Sequence, residues 1–244
     1  MFISTLSEIV CTNADMDISF EDLLVIDKQK KELLQNTLFF QNKEKFNNVL
    51  LWGEKGTGKS TLIKSVANFV NKKSSEKIKL LEVLSSDIVY LPELIWKISK
   101  KKELFIIFID DLSVNYLSKE FNIIKTIFEG SSLSYFNNIV FYVTSNIRSI
   151  TSKKQHKLNE IELKDQNNSI YSLSQRFGLS LGFHKFNKQN YFDIVEHYIK
   201  KFKIKIKHKE SFAKSSLAWS IQKGGFSGRI AKQFIIHYLQ NINR

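Results

Sequence analysis

One octapeptide constrains this 244-residue chain more than any other feature. Gly53-Glu54-Lys55-Gly56-Thr57-Gly58-Lys59-Ser60 satisfies the pattern GxxxxGK[ST], directly after the apolar run 48–52 and directly before a helical pattern over 59–70. A strand that ends in a glycine-rich loop and reopens as a helix presents inward-facing N–H groups and a positive helix end to one anion. The fold must therefore contain a strand–loop–helix unit, and the expected ligand is a phosphate chain. In such a loop Gly53, Glu54, Lys55, Gly56, Thr57, Gly58, Lys59, Ser60 and Thr61 form the cradle. Lys59 reaches the β- and γ-phosphates, and the Ser60 hydroxyl is a ligand for Mg2+. A guanine reader of the form NKxD is missing: the Asn-Lys pairs at Asn42, Asn71 and Asn187 lack an Asp at the fourth position. ATP with Mg2+ is the expected pair.

The loop needs a carboxylate from a neighbouring strand. Residues 104–109, the longest unbroken apolar run, end in Asp110-Asp111. A continuous apolar run of strand length reads as a central strand buried on both faces. Asp110 is the expected Mg2+ partner, and Asp111 the group that polarises an attacking water. A third run, 139–144, leads into Ser145-Asn146, which places Asn146 to orient that water.

Around these runs the pattern alternates. Helices are expected at 28–40, 59–70, 91–99, 121–128 and 172–177, and strands at 48–52, 79–84, 104–109, 139–144 and 179–186. Such alternation argues for an α/β fold, a central parallel sheet flanked by helices. After about residue 188 only helical patterns remain, at 191–201, 211–221 and 228–239, apart from a short Lys-Ile alternation at 203–207. Residues 1–188 are thus expected to form the nucleotide-binding domain, with 1–20 as an N-terminal extension, and 189–244 a small helical lid.

Composition narrows the remaining choices. A single cysteine excludes a disulfide scaffold. The longest apolar run is far short of the roughly 20 residues that span a bilayer, and the N-terminus lacks the basic start of a signal peptide. These features lead to the expectation of a cytoplasmic protein with no membrane partner. Only four of the 37 basic residues are arginine: Arg148, Arg176, Arg229 and Arg244. In a lysine-dominated chain an arginine marks a place that needs a planar, bidentate cation. Arg176 precedes the last strand and suits a finger reaching a neighbouring subunit's γ-phosphate. Arg229 opens the last helix and suits a lid residue that senses nucleotide. Arg148 reads equally as a phosphate-side residue or a solvated turn. The net charge of +13 permits a polyanionic partner. It is concentrated in 189–244, where the 200–209 stretch reads either as a solvated edge or as a polyanion-facing patch.

In this order, the phosphate loop, the Asp-Asp strand, the Asn-ended strand, the arginine before the last strand and the lid arginine resemble an AAA+ ATPase. The chain more closely resembles the bacterial AAA+ family known as domain of unknown function 815. The matching strings include DKQKKELLQNT (27–37), NNVLLWGEKGTGKSTLIK (47–64), IDDLS (109–113), NIVFYVTSN (138–146), SLSQRFGLSLGF (172–183) and FSGRIAKQF (226–234). Gln175, Val114, Asn115 and Ile147 depart from the family pattern without removing a phosphate ligand. The resemblance implies an AAA+ P-loop NTPase that hydrolyses ATP to ADP and phosphate, as a homo-oligomer, on an unassigned protein client. It also places Ile26 against adenine, a position that by sequence alone reads equally as core. Two other readings stay open: a nucleic-acid-binding loader or initiator, and an ATP-binding switch with little hydrolysis.

Overall fold

The computed structural model describes residues 2–3, 9–10, 19–112, 119–128, 136–146 and 174–242. The strands are β1 (Phe2–Ile3), β2 (Ile9–Val10), β3 (Val49–Gly53), β4 (Ile78–Val83), β5 (Leu104–Ile109), β6 (Ile139–Ser145) and β7 (Leu179–Phe183). They form one sheet in the order β2-β1-β4-β5-β6-β3-β7. Strands β4, β5, β6, β3 and β7 are mutually parallel, in agreement with the alternation in the sequence. The helices are α1 (Asp27–Gln41), α2 (Lys59–Lys73), α3 (Leu91–Ser99), α4 (Lys119–Phe128), α5 (Lys188–Lys201), α6 (Lys209–Gln222) and α7 (Gly228–Ile242).

The central strands explain the two-layer core. Along β5, Leu104, Ile106 and Phe108 face one layer, while Phe105, Ile107 and Ile109 face the other. This is the side-chain period of two expected of a strand covered on both faces. The first layer receives Leu33 and Phe40 of α1, Leu62, Ile63 and Val66 of α2, and residues of α5 to α7. The second receives Leu94, Ile95 and Ile98 of α3 with Phe121, Ile124 and Phe128 of α4. The Tyr142 hydroxyl enters the first layer. It lies 2.7 Å from Thr37 Oγ1 and accepts from Asn36 Nδ2 at 3.3 Å. Asn36 also donates to the Asn47 carbonyl and accepts from the Asn47 N–H, tying α1 to the start of β3.

Two expectations change. The N-terminal stretch supplies β1 and β2, an antiparallel pair whose inner strand runs parallel to β4. Strands of two residues are too short to leave a periodicity, but they pair with an otherwise open sheet edge. Strand β7 stops at Phe183 rather than running to residue 186, because its partner β3 ends at Gly53. Beyond it, Asn187 caps α5, its side chain accepting from the Asn190 N–H. Arg148, Arg244 and residues 172–173 fall outside the described residues; of the rest of the expected 172–177 helix only Ser174 is helical, and Gln175 and Arg176 form a turn. No helix among the described residues is long and apolar enough to cross a membrane.

Candidate functional site

Register brings the polar strand ends together. Trp52 of β3 lies beside Ser145 of β6, and Ile109 of β5 beside Val143. The loop after β3, the Asp pair after β5 and Asn146 after β6 therefore emerge at one end of the sheet. Parallel α/β sheets bind ligands at that carboxyl end.

The loop's path depends on glycine. Gly53 has φ +121°, and a Cβ there would stand 2.1 Å from the Phe183 carbonyl oxygen. The Glu54 N–H donates to that same oxygen at 2.9 Å, fixing the loop against β7. Gly58, at φ +97°, starts α2. The segment from Lys55 to Thr61 lines a cleft of about 520 Å3, together with Asp110, Asp111, Thr144 and Asn146.

At the cleft floor Lys59 is buried. Its ammonium donates to the carbonyls of Gly53 (2.9 Å) and Glu54 (2.7 Å) and to Asn146 Oδ1 (3.1 Å). Burial pulls its pKa below the usual lysine value, and the nearby carboxylates of Asp111, Asp110 and Glu54 pull the other way. Asp110 Oδ1 accepts from Ser60 Oγ and from Thr144 Oγ1, each at 2.6 Å. Thr144 Oγ1 in turn accepts from the Asp111 N–H at 2.8 Å. Asp111 sits at φ +52°, a left-handed turn that aims its side chain differently from that of Asp110. Asn146 Nδ2 donates to Asp111 Oδ1.

The Ser60 hydroxyl and Asp110 carboxylate are hard oxygen donors in direct contact. They fit Mg2+, which binds through one or two protein oxygens and completes its shell with water and phosphate. Among the described residues no cluster of three His, Cys, Asp or Glu could hold a metal without such a ligand.

The opposite wall is built by α5 and α7. Gly228, Arg229, Lys232, Gln233 and Ile236 of α7 and Ile194 and Tyr198 of α5 line it. Ser227 caps α7, accepting from the Ile230 N–H at 3.2 Å, and packs against Gly56 of the phosphate loop. Arg229 thus lies in the first turn of a helix that touches the loop. Arg176 is exposed on the approach to β7 and does not line the cleft of its own chain.

Ile26 is buried at 3% exposure, its Cδ1 3.7 Å from the Cβ position of Gly58 in the phosphate loop. Leu23 and Leu24 are the apolar residues of that segment on the cleft wall. The turn separating them from Ile26 passes through Val25 at φ +71°, so alternate side chains do not point as in a strand.

Sequence reasoning missed Asp22 and Tyr198, which also line the cleft. Asp22 accepts from the Ser19 N–H (2.8 Å), from Lys201 Nζ and, at 2.9 Å, is paired with His197 Nε2. Burial alone raises its pKa, but hydrogen bonds from Lys201, His197 and Ser19 outweigh that and hold the carboxyl well below the usual range. Burial likewise pushes the Tyr198 phenol up to about 12, with Asp22 adding to the shift. A stretch before α1 and a helix some 175 positions later are thus joined across the mouth of the cleft. Thr144 was missed too, although its place in Thr144-Ser145-Asn146, at the end of an apolar strand, is a usable signal.

Comparison with solved structures agrees with this architecture. Orc1 of Aeropyrum pernix, in complex with DNA, superposes with a TM-score of 0.63 at 14% identity, over 93% of this chain and 65% of that one. A structure described as a DNA replication initiation factor gives 0.54 at 14%, covering 90% of this chain and 63% of the other. A RuvB variant of Thermotoga maritima gives 0.53 at 16%, covering 87% and 61%. The chain thus spans just under two thirds of the length of each. At these identities the likeness establishes the fold alone, an α/β arrangement with its parallel sheet flanked by helices. No curated protein matches the chain. A family model, by contrast, matches residues 4–242, nearly the whole chain, and its description names no activity. The chain belongs to the family described as protein of unknown function (DUF815).

Proposed function

We propose that the chain binds ATP with Mg2+ in this cleft and hydrolyses it to ADP and phosphate. The convergence of Lys59, Asp110, Asp111 and Asn146 on one phosphate loop carries this reading. The loop amides and Lys59 hold the β- and γ-phosphates, with Lys59 exchanging loop carbonyls for phosphate oxygens. Ser60 and Asp110 hold the metal, which when bound neutralises phosphate charge as a Lewis acid. Asn146 and Asp111 orient a water whose oxygen attacks the γ-phosphorus as the bond to the β,γ-bridging oxygen breaks. Asp111 takes the water's proton, and ADP departs. Leu23 and Leu24 supply the apolar wall for adenine. Arg229 reads the γ-phosphate from the helical lid formed by residues 189–244. Exposed Arg176 is available to the cleft of a neighbouring copy, so the active form is a homo-oligomer acting on a protein client.

Steady-state phosphate release tests the proposal. Wild type should turn over ATP in Mg2+, Lys59→Ala should lose nucleotide binding, and Asp111→Asn should bind but not turn over. Equal rates in all three would overturn it. The contact between Asn146 and the Asp111 carboxylate favours a second reading, a switch that binds ATP but rarely hydrolyses it. Single-turnover rates measured at rising protein concentration separate the two. A rate that climbs with concentration supports hydrolysis by an oligomer, and a flat low rate the switch.

A further inference from the structure

The segment joining α5 to α6 serves no part of the cleft, yet its lysines are arranged with unusual regularity. Ile204 and Ile206 are partly buried and pack on the core, while Lys203, Lys205 and Lys207 are exposed. The three lysines alternate in sequence with the two core-facing isoleucines, so this short segment presents three exposed cations within five residues. None of the three has an ion-pair partner among the described residues. Neighbouring lysines do: Lys200 pairs with Glu196, and Lys201 with Asp22. The acidic groups nearest in sequence are Glu196, so engaged, and exposed Glu210 on α6.

A cation just past the end of α5 complements the helix dipole, but the backbone at position 203 disfavours any side chain. The Ile204 N–H bonds to the Ile199 carbonyl and the Lys203 N–H to the Lys200 carbonyl, a Schellman end to α5. Lys203 occupies its left-handed position at φ +53°, where glycine is the usual residue. A side chain kept where the backbone disfavours one points to a use outside the fold. Immediately before it, Phe202 is 41% exposed and stacks by one face on Tyr198, 5.8 Å between centroids at 16°, leaving its other face open.

We propose that residues 202–207 bind the backbone of single-stranded nucleic acid. Lys203, Lys205 and Lys207 would contact successive phosphates, and the open face of Phe202 would stack on a base. A row of cations beside an aromatic face is the pairing that single-strand binders use, and only an unpaired strand offers a base face to Phe202. The site lies outside the nucleotide cleft, and the proposal does not depend on ATP turnover.

Fluorescence anisotropy of labelled oligo-dT and oligo-U over a salt series tests it. Wild type should bind with a salt-dependent constant. The triple variant Lys203→Gln/Lys205→Gln/Lys207→Gln should bind at least tenfold more weakly. Its log–log salt slope should be shallower by about 2, at roughly 0.7 for each phosphate no longer neutralised. Phe202→Ala should weaken binding with the slope unchanged. Lys203→Gly separates binding from folding, since it should raise the melting temperature while making the slope shallower by about 0.7. Binding by the triple variant equal to wild type would overturn the proposal. So would no binding by wild type, equal or tighter binding of a duplex of the same length, or equal competition by polyglutamate of matched charge. Binding of a fluorescent ATP analogue, measured on the same samples, reports separately on the nucleotide cleft.

Discussion

Asp22→Asn is the perturbation that most directly tests how the cleft is held together. The Asp22 side chain is 4% exposed and faces three donors, from Ser19, His197 and Lys201. An amide keeps one acceptor oxygen and turns an NH2 group toward one of those donors. Breaking a fully buried ion pair on one side costs about 3–5 kcal/mol. Here the abandoned partners keep some water, Lys201 being 33% and His197 28% exposed in their side chains. Solvent screening lowers the expected cost to about 2 kcal/mol. For a chain of this size that is about 4–8 °C in melting temperature. The pH dependence has a definite sign. The folded-state pKa of Asp22 is depressed, so its stabilisation is complete above the unfolded value of about 3.9 and is lost as pH falls through the folded value. The gap between wild type and Asp22→Asn, measured by urea unfolding, should be present at pH 7 and narrow below about pH 4. The variant should also bind ATP more weakly, because α5 carries Tyr198 into the cleft. Equal stability at pH 7, or a gap that does not narrow in acid, would refute the reasoning.

Gly53→Ala should destabilise the protein by about 3 kcal/mol and abolish ATP binding, because its Cβ would meet the Phe183 carbonyl oxygen at 2.1 Å. Thermal unfolding and isothermal titration with ATP check both effects. Thr144→Val should leave the fold intact and lower ATP turnover at least tenfold, since one hydroxyl bonds Asp110 and also accepts from the Asp111 N–H. An unchanged kcat would remove Thr144 from the site. Tyr142→Phe should cost about 0.5–1.5 kcal/mol in urea unfolding by removing its hydrogen bonds to Thr37 and Asn36, which keep their bonds to the Leu33 carbonyl and to Asn47. In the wild type the Tyr142 phenol, pushed up to about 12 by burial, should ionise only at pH values well above those of exposed tyrosines.

What the sequence disclosed, and what it hid, follows from the range over which each feature is encoded. The phosphate loop is eight consecutive residues, so its chemistry and its strand–loop–helix setting could be read directly. The run 104–109 was legible because a strand covered on both faces must be apolar throughout, and its two terminal Asp residues then stand out. Asp22 had no such signature. Its meaning comes from His197 and Lys201, which reach it only once α5 folds back over the segment before α1. Ile26 was ambiguous for a related reason. With a positive φ at Val25 the side chains of this short segment do not alternate as in a strand, so the sequence alone could not tell that Leu24 lines the cleft while Ile26 lies beside Gly58. The same logic gives weight to Lys203. Its neighbours Ile204 and Ile206 are explained by the core they join, and Lys201 by Asp22. Lys203 holds a left-handed conformation and has no ion-pair partner among the described residues. A residue that the fold explains should be missed by the fold when it is replaced. Lys203→Gly is expected to do the reverse, and a measured loss of stability in that variant would show that its partner lies within the chain after all.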